Sequence, residues 1–154
     1  MSTIPSTARL RKLRQVKPGD VVQGFAAVWA ATRVEWGLRR RSLPETAASL
    51  GLAFDPMVTH DAKPAAEREP LDLPDWAWRR AHIGWLTVKH WPFGDTCLRR
   101  ALVMGNRLKP FDPQLVVGVR VSDGSTPVDA HAWVRIGDTD LDPLARDYLV
   151  FGGS

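Results

Sequence analysis

Apolar residues recur at helical spacing through most of the first 108 positions and become β-branched runs after that. Pro18-Gly19-Asp20 reads as a helix start, with proline and an acid at the front end. Val21, Val22, Phe25, Val28, Trp29 and Thr32 follow at helical intervals and carry the helix to about Leu38. Arg39, Arg40 and Arg41 suit the negative pole at its end. Ser42-Leu43-Pro44-Glu45 starts a second, short helix that Gly51 stops. Residues 55–74 hold Pro56, Pro64, Pro70 and Pro74 with no apolar period, so they read as a linker or exposed loop. Pro74-Asp75 opens a third helix, in which Trp78, Ala81, Trp85 and Val88 are spaced for one buried stripe. Trp91-Pro92-Phe93-Gly94 breaks it. A fourth helix starts at Asp95-Thr96-Cys97 and runs to Leu108, ahead of Pro110 and Pro113. Leu115–Val121 and His131–Ile136 read as strands. Between them lies a turn-rich loop. Gly137-Asp138-Thr139 is a tight turn, Asp140–Pro143 a short return strand, and Tyr148–Phe151 a possible edge. Helices first and a small antiparallel sheet last give an α+β fold.

Composition narrows this further. The 154 residues suffice for one domain with its own core, 44% hydrophobic and 25% charged, which excludes a disordered chain. The expected division is an N-terminal helical region over 1–74, with a basic arm at 1–17 and the Pro-rich linker, followed by a core over 75–154. No apolar run approaches the ~20 residues of a membrane helix. The polar, basic N-terminus does not read as a secretory signal. One cysteine, Cys97, excludes an intramolecular disulfide, and a cytoplasmic location is expected. Four histidines and one cysteine are too dispersed for a structural zinc site, and neither metal nor cofactor is expected. The net charge of +4 sits in the first half. Residues 1–70 hold 11 Lys/Arg against 7 Asp/Glu, whereas residues 71–154 hold 10 of each sign. That basic half is either a surface for an acidic partner or a set of solvated helix faces. No nucleic-acid motif accompanies it.

A thiolate nucleophile needs an environment that favours the anion, a base in reach, and a group that orients the base. Cys97 sits at the first turn of a predicted helix, where unpaired backbone N–H groups and the dipole favour a thiolate and can bind an oxyanion. His131 opens a strand beside a loop. A lone Cys or His is more often a packed core group. The order helix-Cys, strand-His, hairpin-Asp is what raises the catalytic reading. The turn decides the third member. With an even number of turn residues, Asp142 lies opposite Trp133 and one diagonal from His131, about 7 Å away. Asp140 then shares the face but lies farther off, and is the reserve. An odd turn puts both on the wrong face.

The pieces Cys97-Leu98-x-Arg100-Ala101-Leu102, Leu115-Val116-Val117-Gly118-Val119 and Ala130-His131-Ala132-Trp133-Val134, with the hairpin to Asp142, are specific in combination. The stretch 95–142 resembles the bacterial transglutaminase-like cysteine peptidases that remove the leader from lasso-peptide precursors. The match is good over roughly the last 60 residues and looser from Trp78 to Trp91. The resemblance implies a transglutaminase-like core distantly related to papain. It implies Cys97 as nucleophile, His131 as general base and then acid, Asp142 as the orienting carboxylate, and hydrolysis at the leader–core amide. The expected partners are the precursor peptide, a separate leader-recognition protein, and a cyclase that closes the freed amine into a macrolactam; no nucleic acid or membrane is implied.

Two features depart from that pattern. Papain-like enzymes place a Gln oxyanion donor upstream of the Cys, but the last Gln before Cys97 is Gln23. The indole N–H of Trp91, which can only donate, is a candidate substitute, against the plainer reading of a packing Trp at a helix end. Fused members of the family carry a recognition domain with a β-hairpin, while residues 1–70 read helical, so the chain resembles the split form. The rivals are acyl transfer by the same triad, a silent triad in a peptide-binding scaffold, and a basic nucleic-acid binder. Arg99 and Arg100 beside Cys97 favour a working thiolate over a silent site.

Overall fold

The computed structural model of the protein describes residues 18–54, 71–120, 129–142, 145 and 149–150, the last two as backbone only. The basic arm at 1–17, the prolines at 56, 64 and 70, and the loop between the two long strands lie outside these residues. Four α-helices precede the sheet: α1 Pro18–Arg40, α2 Leu43–Leu50, α3 Asp75–Lys89 and α4 Cys97–Arg107. A 3-10 turn, Lys109–Phe111, leads into β1 Gln114–Arg120 and then β2 Asp129–Ile136, β3 Thr139–Asp140 and β4 Leu149–Val150. The order in the antiparallel sheet is β3-β2-β1-β4.

Local chemistry sets the helix ends. Glu45 of α2 accepts from the Ser42 amide (2.9 Å) and hydroxyl (2.7 Å), tying down the entry to the helix. Gly51 closes α2 at φ +85°, with the Gly51 and Leu52 amides donating to Ala48 and Ala47. Ahead of α4, the Thr96 hydroxyl caps the helix by accepting from the Arg99 amide at 3.3 Å.

The helix α1 exists where the spacing predicts it, but the opposite face is buried. Ala27, Ala30, Ala31, Val34 and Gly37 point inward, while Val21, Val22, Phe25, Val28 and Trp29 are exposed. Small side chains let α1 approach α3, α4 and α2 closely, and the bulky ones are left outside. Gly37 shows how tight this is: a Cβ there would stand 2.6 Å from Cγ2 of the fully buried Thr46. Gly37→Ala is expected to destabilise by about 1–3 kcal/mol through overpacking. Gly24→Ala on the same helix meets nothing within 4 Å and is expected to stabilise by up to about 1 kcal/mol. Urea denaturation of the two variants checks the pair.

In α3 the buried stripe is Ala77, Ala81, Gly84 and Val88, with Trp78 exposed and Trp85 half-buried. One continuous core joins Ala30, Val34, Ala47 and Leu50 to Ala77, Ala81, Leu102 and Val103, and these to Leu115, Ala132 and Val134 of the sheet. The helices before and after the Pro-rich stretch therefore share a single interior. A smaller cluster of Val116, Trp133 and Ala145 covers the other sheet face. Polar contacts also tie the layers together. Asp20 of α1 forms a bidentate pair with Arg79 of α3, and Asn106 of α4 donates to the Leu50 carbonyl at 2.8 Å.

Buried Glu35 of α1 takes both Nε (2.9 Å) and Nη2 (3.2 Å) of Arg99 from α4, and Arg39 one turn on. The Arg99 hydrogen bond, and the positive charge of Arg99 and Arg39, hold its carboxyl below the ordinary 4.5 against the opposing cost of burial. A depressed carboxyl contributes stability that is present above its ordinary value and lost as the pH falls through the lower folded one. Acid unfolding below about pH 4.5 should therefore be blunted in Glu35→Gln. That variant should itself be about 2 kcal/mol less stable at pH 7. Denaturant midpoints measured from pH 3 to 7 check both.

Candidate active site

The sheet register brings the hairpin aspartates alongside His131. Arg135 pairs with Asp140 and Ile136 with Thr139, so Gly137 and Asp138 make a two-residue turn with Gly137 at φ +55°. The even turn keeps His131, Trp133, Arg135, Asp140 and Asp142 on one face. Beyond β3 the strand direction persists, with the Leu141 amide donating to the Val134 carbonyl at 2.9 Å.

On that face the two aspartates do different things. Asp142 Oδ2 lies 2.8 Å from His131 Nε2. The Asp142 carbonyl accepts from the Ala145 amide at 3.2 Å, which fixes the backbone that carries it. Asp140 accepts from the Trp133 indole N–H (2.7 Å) and from Arg135 Nε (2.7 Å) and Nη2 (3.1 Å). Arg135 is 5% exposed, so Asp140 neutralises a buried cation inside the hairpin. The Trp133 ring, stacked on the imidazole at 5.9 Å between centroids, completes a rigid support for His131.

Cys97 is the first residue of α4 and is half-buried. In the first turn of a helix the backbone amides have no intrahelical acceptor. A cavity of about 320 Å3 lies between this helix end and the sheet. Cys97, His131 and Asp142 all line it. Trp85, Ala101, Met104 and Leu141 give it an apolar wall, and Arg100 a cation. Asp95 forms a bidentate pair with Arg100 and raises its pKa; negative charge on Cys97 and Asp142 acts in the same direction. One guanidinium thus senses both ends of the candidate triad.

The remaining sequence candidates fall elsewhere. Trp91 follows α3 and lies outside the cavity lining, edge-on to Phe93 at 6.1 Å. Its Nε1 is buried and has no hydrogen-bond partner among the described residues. The first turn of α4 is better placed to receive an oxyanion. Arg99 turns away from the cavity to Glu35, leaving Arg100 as the lining arginine. Glu35 carries no signal that separates it from a surface acid in the sequence, because its partner is 64 residues away.

A helix that starts at the cysteine, a strand that starts near the histidine and a hairpin that returns an aspartate form an arrangement found across a wide group of acyl-transferring and hydrolysing folds. The sequence model of the transglutaminase-like superfamily matches residues 28–148. The chain belongs to that superfamily. The match takes in α1 from Val28 onward as well as β1, β2 and β3, in keeping with the shared core of this transglutaminase-like α+β fold. No curated protein and no solved structure matches the chain. The superfamily is compatible with a cysteine peptidase or an acyltransferase. Among the described residues no group of three or more His, Cys, Asp or Glu could hold a metal, and no helix is long and apolar enough to cross a membrane.

Proposed function

We propose that this transglutaminase-like chain is a cysteine peptidase that removes the leader from a lasso-peptide precursor, acting with a separate leader-recognition protein. The observation that carries the reading is His131 bonded to Asp142 in the cavity that Cys97 lines from a helix N-terminus. With Nε2 of His131 turned to Asp142, Nδ1 is the nitrogen to exchange a proton with the thiol. Cys97 Sγ bonds to the scissile carbonyl carbon while His131 takes the thiol proton. The oxyanion is met by the first-turn amides of α4. Collapse breaks the C–N bond, and His131 returns the proton to the leaving amine, freeing the core peptide. Water, deprotonated by His131, then attacks the thioester and releases the leader with a carboxylate end and Cys97 as thiol. Asp142 holds the imidazole in the tautomer and orientation these steps need.

The experiment is cleavage of a lasso-peptide precursor, with and without a stand-alone leader-recognition protein, read by mass spectrometry. Cleavage at one junction, with one water added across the two products and loss of cleavage in Cys97→Ala, supports the peptidase. An acyl group transferred to an added amine instead of water would assign the site to acyl transfer. No turnover under either condition, with folded protein, would leave a peptide-binding scaffold.

A further inference from the structure

We propose that the outward face of α1 docks the separate protein partner, and that this partner presents an apolar ridge edged with carboxylates. The inference rests on the two-protein reading above and assigns it a surface. Phe25, Trp29 and Trp36 are 73%, 67% and 58% exposed, and Val22 continues the same stripe toward the N-terminus. Two tryptophans and a phenylalanine in line on one helix face form a patch of the kind that marks a protein-binding site, and such rings are the usual anchors of interface energy. The face is also shaped. A groove of about 240 Å3 runs between α1 and α2, lined by Trp29, Thr32, Arg33, Trp36, Arg41 and Ser49.

Charge identifies the occupant. Arg40 lies over the Trp36 ring at 4.5 Å, and Arg33 reaches the Ser49 carbonyl at 2.6 Å, so guanidinium groups border the stripe along its C-terminal half. The carboxylates of α1 and α2 are committed elsewhere: Asp20 to Arg79, Glu35 to Arg99, and Glu45 to Ser42. The rim is therefore positive, and complementary carboxylates must come from the partner. A second copy of the chain would bring the same arginine rim. The chain's own N-terminal arm, with Arg9, Arg11, Lys12, Arg14 and Lys17, has the wrong sign as well. Position gives the surface a use. Arg39, at the end of the helix, lies over Phe93 at 4.7 Å, in the segment that leads into Cys97. The end of the helix that carries the stripe thus touches the segment that leads into the nucleophile helix, and the groove shares no lining residue with the catalytic cavity.

The test is calorimetric titration of the 154-residue protein with a purified stand-alone leader-recognition protein. Trp29→Glu and the pair Arg33→Glu/Arg40→Glu are compared with the wild type. All three side chains are exposed, and thermal unfolding confirms that the variants fold. The expected result is at least about 30-fold weaker binding for Trp29→Glu. The arginine pair should bind about 10-fold more weakly, with a flatter salt dependence. The Cys97 alkylation rate should be unchanged in each. Wild-type affinity in both variants, while the precursor is still cleaved, would overturn the docking surface and leave the peptidase standing. No cleavage by the wild type with or without the recognition protein would remove the reading on which the inference rests. A wild-type dimer that Trp29→Glu dissolves would give the face to a second copy and overturn it too.

Discussion

Cys97→Ala is expected to abolish precursor cleavage, by about 10^4-fold or more, while leaving thermal stability close to that of the wild type. Cys97 is the nucleophile in the proposed reaction and the sole cysteine in the chain, so no other thiol can take over. The substitution removes one half-buried sulfur at a helix start whose cap, Thr96 to the Arg99 amide, does not involve that side chain. His131→Ala should lose a similar factor, because proton transfer both to and from the reacting atoms passes through the imidazole. Asp142→Ala should lose less, since it orients the ring and does not take part in the transfer. Steady-state cleavage rates with circular dichroism on the same samples check all three. Equal activity in Cys97→Ala would end the peptidase reading.

Asp140→Ala is expected to give the largest loss of stability, about 3–5 kcal/mol, because it strands a buried cation. Arg135 is 5% exposed and donates twice to Asp140, and the Trp133 indole donates to the same carboxylate. Removing that carboxylate takes away an acceptor that the buried guanidinium and the indole N–H share. Loss of activity in this variant would then follow from loss of fold, with the melting temperature down by roughly 10 °C for a chain of this length. The aspartates at 140 and 142 are thus separable by experiment. The first should move the unfolding midpoint far more than the turnover of the protein that remains folded. The second should do the reverse. A stable, inactive Asp140→Ala would exchange their roles.

The hairpin was legible in the sequence because strand geometry has a period of two, and the only unknown was the parity of the turn. Gly137-Asp138 supplies an even turn, and the face shared by His131 and the aspartates follows from it. The same geometry ranked Asp142 above Asp140 as the partner of His131. What the sequence did not show is that Asp140 neutralises Arg135, because an arginine near a strand end reads as a surface residue until its burial is known. Helix positions were equally legible: proline and acid at the start of α1, Ser42 and Gly51 around α2, Thr96 ahead of α4. The inward face of α1 was not. Hydrophobic periodicity weights large side chains, yet close helix packing selects small ones, so Ala27, Ala30, Ala31 and Gly37 are buried and Phe25 and Trp29 are exposed. Long-range partners such as Glu35 with Arg99 are invisible to any local pattern, since neither residue departs from what a solvated helix face would carry.

The most direct test of the central claim, that Cys97 and His131 act as one unit, needs no substrate. The rate at which iodoacetamide alkylates the protein at neutral pH reports on Cys97 alone. Wild type, His131→Ala and Asp142→Ala are compared, with denatured protein as the reference for an uncoupled thiol. The account predicts a fast reaction in the wild type, a fall of at least about 10-fold in His131→Ala, and an intermediate rate in Asp142→Ala. Identical rates in the wild type and His131→Ala, with both proteins folded, would contradict it.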